Sequence, residues 1–570
     1  MLEFLKRYPM ARLARLLNLE LRNRLFGLPR WRALKGHGAA AWSAARRAAN
    51  GPKVLIASSV GAHLAANSLD STLAVALTLR GVRAHSLLCD GALPACLACE
   101  MNWWPDHDHF VEHGPRKTLC GPCYRPANQM WTSLGLPIHR LSEFLSQKDQ
   151  DACWRLAHEV AETDIDRLEH LGVRVGMHAR SGVLRYFARG DLDNEPDAPA
   201  VRRRYLAASL VAATALDRLF QRGGFDVCVA HHGIYVPQGI LVDVAHKHRV
   251  RMVTWNIAYR AGSFIFSHDD TYHFTLMNEP VAAWESLPWN GAMQSALDAY
   301  MSSRATGAND WISYHDGSGP PIASLRDEFG VDLSKPTITA FTNTMWDAQV
   351  FYQSNAFPNM LDWLSETIRY FAKRNDLQLV IRVHPAEVQN PLKSRQRVVD
   401  ELKRLFPQLP SNVYVIPPEA TVNSYALAQH SDAAIVYGTK MAVELSYMGI
   451  PTIVAGESWA RNKGFTLDAT SPEGYLARLD QLPLGQRLEP SIKQRAAKYA
   501  FHFFFRRVIP LEFLTVRKGK WPPYAVELED LQPLRPGASH GLDIICDGIL
   551  KGAPFTYPAE TLIGAERISH

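Results

Sequence analysis

The chain has 570 residues, 47% of them hydrophobic and 21% charged. At roughly 100–200 residues per domain, that length excludes a single compact module, and the composition excludes disordered and collagen-like chains. No stretch approaches the roughly 18 consecutive apolar residues of a spanning helix; the most apolar segment, Tyr205 to Leu216, is bounded by Arg204 and Asp217. The net charge of +6 is unevenly placed. Residues 1–50 hold eleven Lys/Arg against Glu3 and Glu20, a net of +9, so the other 520 residues carry −3.

The first expected element is a basic amphipathic helix within a segment spanning 1–50. Leu13, Leu17 and Leu21 recur at i+4 with Leu16 and Leu25 beside them, Arg12, Arg15, Arg22 and Arg24 fill other faces, and Pro29 stops the pattern. Such a helix can lie on an anionic membrane surface, each basic residue contributing about 1 kcal/mol, or pack on the protein's own body. Lys6, Arg7, Arg12 and Arg15 interrupt every apolar run, so a secretory signal is not expected. The expected location is cytoplasmic, peripheral on the inner face of the cytoplasmic membrane if the helix meets lipid. Nucleic acid is not an expected partner, because the rest of the chain is slightly acidic and lacks a sustained basic–aromatic pattern.

Residues 53–60 read as a buried strand running into Gly61-Ala62-His63 and then a helix to about Arg80; a second strand covers 82–89. A third, 227–230, ends in His231-His232-Gly233, followed by helix 237–248 and strand 251–255. This order predicts a doubly wound parallel sheet over 51–315. Inserted at about 90–130 are Cys96 and Cys99, then Cys120 and Cys123: two C-x2-C pairs twenty residues apart, the spacing of a structural zinc site. Competing readings are redox pairs or a site completed by His107, His109 or His113. Cys89, Cys153, Cys228 and Cys546 read as ordinary buried thiols.

A second α/β series follows the polar, Pro-rich stretch at 315–321. Strands are expected at 337–341, 378–383, 413–416, 433–437 and 452–455, with helices at 356–374, 423–430 and 439–448. The expected fold is therefore α/β, with two facing Rossmann-like domains and a C-terminal domain over 316–500. Residues 501–570 form a tail that can cross back to the first domain.

Ligands of open α/β sheets gather at the carboxyl ends of strands. There the second domain places Arg382 and His384 with Glu387, Glu419 after Pro417-Pro418, and Tyr437 leading into Gly438-Thr439-Lys440. A Gly-Thr turn opening a helix suits phosphate. Glu444, followed by Gly449-Ile450-Pro451, suits a carboxylate that accepts hydrogen bonds from a ribose, and Arg461 and Lys463 add cations.

Thr342-Asn343-Thr344-Met345-Trp346-Asp347, the run Ile381 to Glu387, Val436 to Lys440 with Glu444, and Val454 to Glu457 followed by Arg461 to Thr466 resemble the capsule polysaccharide biosynthesis family. That family includes the Kdo transferases that start capsule linkers on a lipid. The resemblance covers about 336–470. It implies a GT-B glycosyltransferase whose C-terminal domain holds a nucleotide sugar, often a CMP-sugar, and the expected acceptor is a glycan or another lipid-linked molecule. The cysteine pairs and the basic N-terminus fall outside the family pattern.

Asp164-Ile165-Asp166 and Asp191-Leu192-Asp193 have the spacing of a metal-binding D-x-D but read as solvated acids. No catalytic metal is expected. Leaving-group charge then falls to Arg382, His384, Lys440 and the Gly438-Thr439 amides. The base that takes the acceptor proton would come from the first domain, with His63, His232, Asp269 and Asp270 as candidates. Two other readings use the same features: a phosphotransferase with a CDP donor that builds glycerol-phosphate polymers, and a non-catalytic scaffold of a polysaccharide assembly complex.

Overall fold

The computed structural model describes residues 27–101, 107–311, 313–314, 322–351 and 356–565, together with Leu17, Asn18, Glu20, Leu21 and Asn23. Most of the expected basic helix lies outside the described residues; of its leucine stripe, Leu17 and Leu21 are described and exposed. Among the described residues no helix is long and apolar enough to cross a membrane.

In chain order the strands of the two large sheets are β1 (Lys53–Ile56), β2 (Arg83–Leu88), β3 (Ile138–Arg140), β4 (Val227–His231), β5 (Arg251–Ile257), β6 (Ser263–His268), β7 (Thr337–Phe341), β8 (Gln378–Arg382), β9 (Val413–Ile416), β10 (Ala433–Val436), β11 (Thr452–Val454), β12 (Leu467–Asp468) and β13 (Ile509–Pro510). The helices that position the sites are α1 (Leu64–Thr78), α2 (Cys120–Leu134), α3 (Val175–Phe187), α4 (Ala198–Gly223), α5 (Gln238–Lys247), α6 (Gly291–Arg304), α7 (Met360–Phe371), α8 (Met441–Tyr447) and α9 (Pro490–Phe501).

The chain divides into two compact units. Unit 1 comprises residues 1–187, 192–272 and 507–557; unit 2 comprises 188–191, 273–506 and 558–570. The border thus falls at 272/273, about forty residues before the polar stretch that suggested it. Compositional breaks mark exposed chain, and exposed chain need not coincide with a change of core. In unit 1 the sheet order is β13-β6-β5-β4-β1-β2-β3, with β1 to β5 parallel and β6 and β13 antiparallel at one edge. In unit 2 it is β12-β11-β10-β7-β8-β9, parallel throughout.

Strands covered on both faces read as unbroken apolar runs, and the central strands β4, β7, β8 and β10 are buried at every position. Helix α1 is buried at every residue after Leu64, although it contains Asn67, Ser68, Ser71, Thr72 and Thr78. Ser68, Thr72 and Thr78 donate their hydroxyls to carbonyls four residues back, so their burial leaves no orphaned donor. Helix α4 closes on α3 at Gly182, where a Cβ would stand 2.4 Å from the Tyr205 ring. In unit 2, α7 drives Trp363, Leu364, Ile368 and Phe371 into a core with Ile381, Ile435 and Tyr475; each such side chain contributes about 1.5–3 kcal/mol by leaving water.

Candidate active site

In unit 2 the chain runs β7, β8, β9 to one side, then returns to place β10 on the other side of β7. The carboxyl ends of β7 and β10 therefore flank the switch point where doubly wound sheets bind ligands. Thr342 follows β7 there, and its Oγ1 accepts the His384 amide at 3.0 Å. The Gly438-Thr439-Lys440 turn follows β10, held by Ser458 Oγ donating to the Thr439 carbonyl at 2.8 Å. His384 accepts the Ala386 N–H on Nδ1 at 3.0 Å, so its neutral ring carries the proton on Nε2 and presents a donor. Tyr314 packs edge-on against this ring, centroids 5.1 Å apart.

Behind the turn is a charge-balanced network that local sequence does not reveal. Glu444, on α8, accepts from Lys440 Nζ at 2.7 Å, from Tyr425 Oη at 2.8 Å and from Arg304 Nε at 2.9 Å. Arg304, at the end of α6, also reaches Asp310 at 2.6 Å and the Tyr300 hydroxyl at 3.0 Å. Burial acts to raise the Glu444 pKa, but Arg304 and Lys440 outweigh it and hold the carboxyl below its ordinary value. Burial, reinforced by Arg304, pulls Lys440 below the usual lysine value. A carboxylate offers about four lone-pair positions, and three donors from the protein occupy Glu444.

Several other predicted donor residues have structural work instead. Arg382 is 2% exposed and donates to the carbonyls of Val383, Pro417, Ala420 and Val422, so it ties down the loop after β9. Arg461 clamps the Gly456 and Ala469 carbonyls, and Lys463 donates to Met277 and Glu279. Tyr437 is core, stacked near Trp363 with its hydroxyl on the Phe357 carbonyl. Glu387 is fully buried, accepts the Val398 N–H, and is pushed by burial up to about 7. Glu419 is exposed and ion-paired with Arg397. Five of these six side chains turn into the fold, where main-chain or core partners hold them; Glu419 stays at the surface on Arg397.

Unit 1 has its own switch point, between β1 and β4, and it gathers three imidazoles. His63, in the loop after β1, caps α1 by accepting the Ala66 N–H on Nδ1 at 3.1 Å. His232 accepts the Ile234 N–H on Nδ1 at 3.2 Å. Both neutral rings therefore carry Nε2–H and are donors, which argues against either as the proton acceptor while these bonds hold. His231 lies against both, with centroids 4.4 and 4.1 Å away, and its Nε2 faces Asn256 Oδ1 at 3.3 Å. Asn256 Oδ1 is an acceptor, so His231 carries its proton on Nε2; its buried Nδ1 has no hydrogen-bond partner among the described residues. Burial, then the two neighbouring imidazoles, pulls His231 well below its ordinary pKa, and burial with Arg185 lowers His63 to about 4. The sequence points to His232 rather than His231, although His231, as the last residue of β4, has the strand-end position that marks a ligand site. Exposed Trp521 stands edge-on to His63 at 6.0 Å.

Asp269 and Asp270 stand at the opposite end of this sheet. β6 runs antiparallel to β5, so its end returns to the start of β5, where Asp269 Oδ1 accepts the Met252 N–H at 3.0 Å. Asp166 pairs with Arg202 and Arg180, and Asp191 receives Gln396, so both D-x-D segments are engaged in local networks. The cysteines after β2 line a small cavity of about 20 Å³; among the described residues no three Cys, His, Asp or Glu side chains are already arranged to hold a metal. His107 is engaged elsewhere, by Tyr186 and Asp197.

No known family model matches the chain, and no curated protein matches it. Among solved structures, the chain is similar to the KpsC beta Kdo 2,4 transferase of Thermosulfurimonas dismutans at 15% identity, over 48% of this chain and 80% of that one, with a TM-score of 0.31. It is also similar to UDP-GlcNAc 2-epimerase of Neisseria meningitidis, bound to UDP-GlcNAc, at 10% identity over 78% and 94% with a TM-score of 0.23. A third is the spinosyn rhamnosyltransferase SpnG, at 12% identity over 79% and 96% with a TM-score of 0.25. At such loose superposition the functional reading rests on the chain's own residues.

Proposed function

We propose that the chain is a glycosyltransferase of surface-polysaccharide synthesis, with unit 2 taking a nucleotide sugar and unit 1 handling the acceptor. The observation that carries this reading is the division of chemistry between the two switch points: fixed donors and an ionised network in unit 2, neutral imidazoles in unit 1. In unit 2, His384 Nε2–H, Lys440 and the amides of the Gly438-Thr439 turn would meet the charge that grows on the leaving phosphate. Glu444 would hold Lys440 in place and accept a ribose hydroxyl at its remaining lone-pair position. In unit 1, His63 and His232 would donate to the acceptor, and His231 Nδ1 would take the proton of its attacking hydroxyl.

The preference for a nucleotide base is the first property to test. Thermal protection by CMP, CDP and UDP, followed by transfer from the corresponding sugars, separates a glycosyltransferase from a CDP-dependent phosphotransferase. Protection by none of the three would remove unit 2 from the donor role.

A further inference from the structure

The C-x2-C spacing selects Cys96, Cys99, Cys120 and Cys123, but the fold arranges the thiols differently. The cavity beyond the ends of β1 and β2 is lined by Cys89, Cys96, Cys120 and Cys123, with Ser59, Gly91 and Leu119 among its other walls. Cys99 is not in that wall. It is 1% exposed and belongs to the hydrophobic core with Phe110 and Tyr205. Cys89, read from the sequence as an ordinary buried thiol, directly follows β2, its N–H held by the Ser59 carbonyl at 2.9 Å.

The remaining walls are shaped for sulfur. Cys120 and Cys123 occupy the first turn of α2, three residues apart and so on one face. The Ala62 N–H points at Cys123 Sγ at 3.1 Å, a donor that stabilises a thiolate more than a thiol. Gly91, at φ +90°, lets the loop after β2 pass close to Cys120; a Cβ there would lie 3.4 Å from the Cys120 Cβ. A cavity of about 20 Å³ has room for one ion. Four thiolate donors around a single ion suit tetrahedral zinc.

We infer that unit 1 binds one structural zinc ion through Cys89, Cys96, Cys120 and Cys123, with Cys99 excluded. Binding forms four Zn–S bonds and releases the protons of those thiols that are still protonated, while the sulfurs keep their oxidation state. The ion would staple the loop after β2 to the start of α2, next to the loop that carries His63. This assignment is independent of the donor reading.

The test begins with metal analysis of the full-length protein, expected to give about one zinc per chain. Cys89→Ala should lose most of that zinc, whereas Cys99→Ala should keep it. Wild-type protein supplies a readout that needs no variant: alkylation with and without a chelator, mapped by peptide mass spectrometry. Chelation should expose Cys89, Cys96, Cys120 and Cys123 to labelling and leave Cys99 unlabelled until the protein is denatured. Zinc retained by Cys89→Ala and lost by Cys99→Ala, or chelator-dependent labelling of Cys99 in place of Cys89, would overturn the assignment. So would full-length protein that takes up no zinc when it is supplied, or that carries these thiols as disulfides or an iron chromophore.

Discussion

The two switch points have the same topology and opposite electrostatics. In unit 2, Glu444 and Asp310 face Arg304 and Lys440 in a buried, charge-balanced set. In unit 1, the equivalent crevice holds His63, His231 and His232, whose protons are assigned by main-chain and Asn256 partners rather than by ionic ones. An ion network fixes geometry, since moving any member leaves a buried charge uncompensated. A cluster of neutral imidazoles fixes tautomers, and so decides where a proton can be accepted. One scaffold can thus anchor a charged donor at one sheet and move a proton at the other.

Removing the proton acceptor should have the largest effect. His231→Ala is expected to lower turnover by about 100- to 10,000-fold, the usual range for a positioned base, with nucleotide affinity unchanged in calorimetry. A loss confined to affinity would break the assignment of unit 1 to proton transfer. Glu444→Ala removes the carboxylate that Arg304 and Lys440 share and leaves the buried set with an excess positive charge, so it should cost about 3–5 kcal/mol of stability in denaturant unfolding, whereas Arg382→Met should be felt only in the loop after β9. His384→Ala should lower turnover roughly 10- to 150-fold, the equivalent of about 1.5–3 kcal/mol for a hydrogen bond to a charged group, and should leave ground-state binding of nucleotide nearly intact.

A smaller effect concerns pH. His63 is lowered to about 4 and His231 is lowered too, so between the ordinary histidine value of about 6.5 and the folded values the unfolded chain binds more protons. Their contribution is full above about 6.5 and is lost as the pH falls toward 4. Asp70 and Glu387, each raised to about 7 by burial, act in the opposite direction, because there the folded chain binds more protons. The readout is therefore a difference. His63→Asn keeps a capping acceptor for Ala66 and should lose less stability than wild type between pH 6.5 and 4, while the two coincide above 7. The smallest expected effect is binding of the full chain to anionic vesicles through residues 1–30, which should weaken as salt rises.

Much of the sheet architecture was legible because buried parallel strands are written as short apolar runs. β4, β7, β8, β9 and β10 fall within about one residue of their expected places. β3, β6 and β13 were not read: they are edge or antiparallel strands of two to six residues, whose partners are set by tertiary pairing. The sites were legible in position and much less so in partner. Glu444 stood out by its spacing, but Arg304 lies 140 residues earlier on a helix with no motif. Cys89 lacks a C-x2-C partner, so spacing alone could not bring it beside Cys96. Arg382, Arg461 and Lys463 show the converse, since residue type and strand-end position cannot say whether a cation meets a phosphate or a carbonyl.

The division of labour is tested most directly by titrating CMP, CDP and UDP calorimetrically into His231→Ala and Glu444→Gln, beside single-turnover transfer with the sugar of whichever nucleotide binds. The account predicts that His231→Ala binds nucleotide as wild type does and fails in transfer, while Glu444→Gln loses nucleotide affinity. Weakened nucleotide binding in His231→Ala together with unchanged binding in Glu444→Gln would contradict it.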